Sequence, residues 1–251
     1  MGTSMGRKTE FSSAGLHVLA MGFMLCDHLW AALFPAQEWL TCIGRLAFPL
    51  FAFMAAEGCA RTRNLRRYML RMLCWAVLSE IPFNLMISGS AFYPYHQNVL
   101  WTFLLSLLLI ALIEKCRTCL KPVPAAFLSV GLGAAGFILG FAAMTDYYGA
   151  GVLTVLTFYF FRGRNWKERL LQLVCLYILN VELLGGYCYE LRLPGYTVEI
   201  AQQSLALLSL PLIWLYRGRQ GLHSKAFQYF CYAFYPVHML LLAAARAWIL
   251  R

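Results

Sequence analysis

Residues 99–113 read Val99-Leu100-Trp101-Thr102-Phe103-Leu104-Leu105-Ser106-Leu107-Leu108-Leu109-Ile110-Ala111-Leu112-Ile113, inside an apolar run over 97–114. At 1.5 Å of rise per residue, a helix of this length crosses most of a ~30 Å hydrocarbon core. Eight further runs lie outward from it, near 14–34, 40–59, 67–87, 122–143, 148–161, 168–185, 200–216 and 227–248. The run 148–161 is short and fits a tilted or partial span. The first run is too long for a signal peptide and carries Asp27-His28, so it reads as a retained span. Composition agrees: 61% of the 251 residues are apolar, 13% charged and 16% aromatic. Soluble domains hold ~45–50% apolar and ~25% charged residues. An ordinary cytosolic enzyme, a disordered chain and a disulfide-stapled secreted module are thereby excluded. The expected fold is an all-α polytopic transmembrane bundle of about nine spans, one domain over residues 1–251.

Basic residues give the expected orientation. With a cytoplasmic N-terminus and nine crossings, the inner segments hold 17 of the 21 Lys and Arg. These are Arg7, Lys8, Arg61, Arg63, Arg66, Arg67, Arg71, Lys115, Arg117, Lys121, Arg162, Arg164, Lys167, Arg169, Arg217, Arg219 and Lys225. Outside remain Arg192, Arg246 and Arg251, and Arg45 falls within a span. This is the positive-inside pattern. It gives the net charge of +10 a topological meaning, so no nucleic-acid partner is expected. Most cysteines lie in apolar runs as small buried hydrophobes. Cys116 and Cys119 form a single CxxC pair, whereas a structural zinc site needs four ligands, and no metal is expected. Gly133, Gly136 and Gly140 read as a close helix-packing face.

Ionisable side chains inside a membrane are costly, and each raises a functional question. At helical rise, His28 lies roughly 9 Å below the outer surface, Arg45 roughly 8 Å and Glu80 roughly 10 Å. Asn84, Asn98 and Asp146 lie nearer still to that face. Five helices thus bring polar groups to one layer. Arg45 can offset Asp27 or Glu80, and these three read equally as a structural ion-pair knot. Asp27 and His28 are about 100° apart on a helix, so His28 should be oriented from another span. His17 reads as a packing histidine, and Glu57 as an i,i+4 partner of Arg61. Pro49 and Pro82 are expected to kink their helices. His238, just after Tyr235-Pro236, lies near the midplane and could line the same cavity.

Several of these stretches carry a resemblance. Asp27-His28, the run Ile43-Gly44-Arg45-Leu46-Ala47-Phe48-Pro49-Leu50-Phe51-Ala52-Phe53 and Glu57-Gly58 resemble the TraX family. So do Arg61-Thr62-Arg63-Asn64, Tyr68-Met69-Leu70-Arg71 and Ser79-Glu80-Ile81-Pro82-Phe83-Asn84. Asn98-Val99-Leu100 with Thr102, Asp146-Tyr147 with Gly149, and Tyr235-Pro236-Val237-His238 complete it. The resemblance covers nearly the whole chain and is most specific from Gly44 to Asn84. It implies a multi-pass protein of the bacterial inner membrane, similar to a wider superfamily of membrane acyltransferases. The founding member of the family is associated with N-terminal acetylation of conjugative pilin, although the pilin substrate itself does not carry over. It implies His28 as the catalytic group and Arg45 as its companion.

Acyl transfer needs a base, an oxyanion stabiliser and a place for the donor. Expected catalytic residues are His28, Asp27, Arg45 and Glu80; expected substrate-binding residues are Asn84, Asn98, Asp146, Tyr235 and His238. Arg45, or the Asn84 and Asn98 amides, could stabilise the oxyanion. Arg61, Arg63, Arg66 and Arg67 are candidates for the phosphates of coenzyme A, although topology and anionic lipid are the simpler reading of such a cluster. No bound cofactor is expected; acetyl-CoA or another acyl-CoA is the donor. The expected partners are the lipid bilayer and an acceptor bearing a peptide amine or a sugar or lipid hydroxyl. The competing class is a transporter with an intramembrane polar relay, for which His17, Glu57 and His238 would supply the inner half.

Overall fold

The computed structural model describes residues 11–222 and 224–249, and at 191–193 the backbone alone. Arg7, Lys8 and Arg251 of the charge pattern lie outside the described residues, as does the Arg192 side chain. The chain is mostly helical: α1 Ser13–Ala32, α2 Glu38–Gly44, α3 Ala47–Arg61, α4 Leu65–Ser88, α5 Val99–Cys119, α6 Pro122–Ala142, α7 Tyr148–Phe160 and α8 Trp166–Tyr177. A π-helical segment, Ile178–Leu184, continues α8. A hairpin of β1 Cys188–Leu193 and β2 Tyr196–Ala201 follows, then a 3-10 segment Gln202–Leu208, α9 Ser209–Leu215 and α10 Lys225–Ile249.

Six stretches are long and apolar enough to cross a bilayer, and they mark a polytopic membrane protein: α1, Glu38–Arg61, α4, α5, α6 and α10. Their outer faces carry bare apolar side chains, such as Phe127, Val130 and Ile138 on α6 and Val77, Leu78 and Ile81 on α4. In water that would be an aggregation surface, whereas in lipid it costs nothing. Side-chain caps start several helices: Ser12 accepts from Gly15 N, Asn64 from Arg67 N, Asn98 from Leu100 N and Asn165 from Glu168 N. They satisfy amides that have no partner in a helix's first turn.

Three expectations change. The all-α reading misses the hairpin, which turns through Leu193-Pro194-Gly195-Tyr196. Proline at the second turn position and glycine at the third, with φ of +93°, are the requirements of a type II turn. Thr197, Val198 and Ile200 favour the extended chain. The run 40–59 is two helices, broken at Arg45-Leu46. Pro49 does not make that break: it falls in the first turn of α3, where its missing N–H costs nothing. α4 runs on through Pro82. The run 168–185 changes from α to π geometry at Ile178.

Two apolar clusters hold the bundle. One gathers Phe48, Phe53, Phe103 and Phe158 of α3, α5 and α7. The other gathers Met21, Met24, Phe83, Met86, Tyr235 and Met239 of α1, α4 and α10. The basic loops meet at one end. Arg61 donates to Gly218 O, Ser13 N to Arg219 O, and the Arg164 guanidinium also approaches Gly218, where a Cβ would stand 3.3 Å from its Nη2. At the other end, Gln97 N donates to Met144 O and Gln202 N to Tyr187 O.

Candidate functional site

Asp27 and His28, in the last turns of α1, serve different neighbours because adjacent helical residues point about 100° apart. Asp27 meets α2: its Oδ1 accepts from Arg45 Nη2 at 2.6 Å and from Thr41 Oγ1 at 2.8 Å. Arg45 occupies the break after α2, where its guanidinium reaches four acceptors. Nη2 also donates to Thr41 Oγ1, Nε to Thr41 O and Nη1 to Gln203 Oε1. The network runs on, since Gln203 Nε2 donates to Asn180 Oδ1 and Asn180 Nδ2 to Leu176 O. This closeness needs Gly44: a Cβ there would stand 2.4 Å from Asp27 Cβ. Arg45 is thus paired with Asp27 and spent on four bonds, joining α1, α2 and the two irregular segments at 178–184 and 202–208.

His28 meets α10. Its Nδ1 lies 2.6 Å from His238 Nε2, and the two rings are nearly coplanar, 9° apart. His238 Nδ1 lies 2.6 Å from Phe234 O. His238 is buried, with 5% of its surface exposed. The Tyr235 ring sits 6.2 Å from that of His28.

Glu80 does not meet Arg45. α4 packs chiefly against α10 and α5, so the carboxylate faces the start of α5. Its Oε2 accepts from Asn98 Nδ2 and from Trp101 Nε1 at 2.9 Å, while Oε1 is buried without a partner among the described residues. Asn98 Nδ2 also donates to Ala76 O, and its Oδ1 caps α5. Asn84 is buried, donates weakly to Ala91 O at 3.4 Å, and its Oδ1 has no partner among the described residues.

Asp146 lies in the connection from α6 to α7, against the segment that leads into α5. Its Oδ1 accepts from Tyr147 N, its backbone O from Thr102 Oγ1, and His96 Nε2 stands 3.2 Å from Oδ1. Burial lowers the pKa of His96, but the hydrogen bond and charge of Asp146, with the charge of Glu80, outweigh it and the net direction is upward. Tyr147 takes left-handed backbone at φ 58° and stacks on Phe48 at 3.9 Å between ring centroids.

A cavity of about 380 Å³ connects two levels of the bundle. Its wall at the basic end includes Arg61, Arg71, Gln220 and Ser224, and at its far end Met24, Val99, Leu100 and Tyr235. Met24 is one helical turn before His28, and the Tyr235 ring is centred 6.2 Å from that of His28; His28 and His238 themselves stand behind this end and do not line the cavity, contrary to the expectation for His238. His17 lines the middle, with Nδ1 2.8 Å from Ser13 O. Of the four arginines expected to meet phosphates, Arg61 lines the cavity, pairing with Glu57 at 2.6 Å. Arg63, Arg66 and Arg67 are exposed and outside its wall. Arg71 joins the wall instead, its guanidinium 5.7 Å over the Tyr68 ring.

Sequence reasoning passed over Thr41, Asn180, Gln203 and His96. Asn180 and Gln203 are polar residues inside apolar runs, as visible as Asn84. His96 falls outside every run, two residues before Asn98. Among the described residues no three His, Cys, Asp or Glu side chains gather as metal ligands.

The chain was compared with known proteins. It is 29% identical over 259 aligned residues to the probable fimbrial assembly protein FimC, serogroup H1, of Dichelobacter nodosus, across 98% of this chain and 100% of that protein. It is 26% identical over 163 residues to Protein TraX of Escherichia coli, across 64% of this chain and 61% of that one. No solved structure matches. A family model described as TraX protein matches residues 12–246, and the chain belongs to the TraX family.

Proposed function

We propose that this protein is a membrane acyltransferase that takes an acetyl group from cytosolic acetyl-CoA and passes it to an amine or hydroxyl acceptor. It resides, on this reading, in the bacterial inner membrane as one domain crossing nine times, with a cytoplasmic N-terminus. The loop contacts at 61–71, 159–164 and 217–220 support that path, because they draw basic segments to one end. The observation that carries the function is the cavity. It has Arg61 and Arg71 in its wall and reaches Met24 and Tyr235, the latter with its ring centred 6.2 Å from that of His28.

The arginine forks suit phosphate oxygens, and the apolar wall suits a pantetheine arm. Along α10 the wall extends from Phe227 to Tyr235, roughly 12 Å at helical rise. His28 acts as the base. As the acceptor nitrogen or oxygen attacks the thioester carbonyl carbon, the imidazole takes its proton. The C–S bond then breaks, and the same proton goes to the sulfur, which releases coenzyme A as the thiol. An ammonium acceptor first loses one proton to water. Arg45 and Asn98 are committed to other bonds, so the Tyr235 hydroxyl, at the end of the cavity far from the basic loops, is our candidate for the oxyanion. Asp27, Arg45 and Glu80 act by fixing α1, α2 and α5 around His28. The acceptor is a peptide amine or a sugar or lipid hydroxyl, arriving from the side of His96 and Asp146.

Inverted membrane vesicles bearing the protein, given acetyl-CoA labelled in the acetyl group, test this. Label should pass to vesicle material with release of coenzyme A, and His28→Ala should abolish both while inserting normally. Full activity in His28→Ala overturns the reading. So does solute flux through protein that never binds acetyl-CoA saturably.

A further inference from the structure

The two histidines stand 210 positions apart in the chain, yet their ring nitrogens meet at 2.6 Å. The hydrogen bond of His238 to its own helix settles which nitrogens carry protons. Phe234 O can only accept, so the nitrogen 2.6 Å from it, His238 Nδ1, must carry the hydrogen. A neutral imidazole holds one N–H, which leaves His238 Nε2 as a bare lone pair. That lone pair faces His28 Nδ1 and can be satisfied only if His28 Nδ1 donates. His28 is then also fixed as the Nδ1–H tautomer, and its other nitrogen, Nε2, is the free base. The opposite arrangement would set two lone pairs against each other at hydrogen-bond distance on α10.

We propose that His238 is the positioning residue of the transfer reaction: through Nε2 it holds the His28 ring and keeps Nε2 of His28 unprotonated and available. This rests on the acyltransferase reading above. When His28 Nε2 takes the acceptor's proton, the imidazolium keeps its Nδ1–H bond to His238. The positive charge is thereby stabilised without a carboxylate partner, since Asp27 of the same helix is turned to Arg45. The coplanarity of the rings, 9°, aligns the N–H with the lone pair.

Two substitutions separate this role from packing. His238→Gln keeps an acceptor oxygen near the Nε2 position, and His238→Phe keeps the ring and removes the acceptor. In the labelled acetyl-CoA assay, His238→Phe should lose roughly 10²–10⁴-fold in kcat, with KM for acetyl-CoA little changed. His238→Gln should recover most of kcat. His238→Phe at near-wild-type kcat, or His238→Gln as inactive as His238→Phe, overturns the proposal. The wild-type protein gives an independent reading through ¹⁵N NMR of labelled histidine, of which the chain has 5. His28 and His238 should both carry hydrogen on Nδ1, and hydrogen on Nε2 of either ring overturns the proposal even if variants fail to fold. An inactive His28→Ala beside an active His238→Phe removes only this inference, whereas an active His28→Ala removes the transferase reading itself.

Discussion

Removing both halves of the Asp27–Arg45 pair should cost less than the two single removals added together. The two side chains are 22% and 18% exposed and 2.6 Å apart, so both charges are largely withdrawn from solvent. Asp27→Ala strands the Arg45 guanidinium with Thr41 and Gln203, which are dipoles and not charges. Loss of one partner from a buried pair costs about 3–5 kcal/mol, and the orphaned Thr41 hydroxyl adds to it. Arg45→Met alone strands the Asp27 carboxylate, with only the Thr41 hydroxyl left to it. The double variant Asp27→Ala/Arg45→Met leaves no charge behind and should cost at least 2 kcal/mol less than the sum of the two singles, about a thirtyfold difference in equilibrium constant. Asp27→Asn, which keeps an acceptor oxygen, should fall between wild type and Asp27→Ala. The assay is reversible unfolding in mixed micelles for wild type and the four variants. Additivity within about 0.5 kcal/mol would show that the pair is not coupled, and the knot that fixes α1 would fall with it.

Other outcomes follow from single contacts. Gly44→Ala places a Cβ 2.4 Å from Asp27 Cβ, a clash that no rotamer relieves, and should destabilise by about 1–3 kcal/mol; a variant melting with wild type would show that α1 and α2 do not approach there. His96 has a raised pKa in the folded protein, so its contribution to stability is complete below about pH 6.5 and is lost as pH rises through the folded value. The melting temperature should therefore fall as pH rises above about 6.5, and His96→Gln should flatten that fall; an unchanged slope in the variant removes the His96–Asp146 pair. Arg71→Gln should raise KM for acetyl-CoA about tenfold or more, the worth of a charged hydrogen bond, with kcat little changed. Arg66→Gln should leave both constants at wild-type values, and equal effects from the two would move the donor's phosphates out of the cavity mouth.

Much of this fold could be read along the chain because lipid demands long unbroken apolar runs, and the helical segments lie where those runs lie. Irregularities inside the runs were hidden for the same reason. Arg45 sits in an otherwise apolar stretch, and hydropathy reports its cost but not that the helix stops to place it. The hairpin at 188–201 escaped because its strands are short and its apolar residues overlap the next run. Asp27, Arg45 and His28 stood out because charges in lipid are rare. That Arg45 would choose Asp27 over Glu80 depends on how α4 lies against α10, which no local pattern records. The His28–His238 contact is wholly tertiary. Arg71 looked like one more positive in a basic loop, and only the curvature of the cavity wall separates it from Arg66.

The account turns on whether an acyl donor entering among the basic loops reaches His28. A nonhydrolysable acyl-CoA analogue bearing a photoactivatable group on its acyl end can be bound to inverted vesicles, irradiated, and its attachment mapped by peptide mass spectrometry. The account predicts label on Met24–His28 and Tyr235–His238, suppressed by excess acetyl-CoA. Label confined to the loop around Arg61–Arg71, with none on α1 or α10 at that depth, would contradict it.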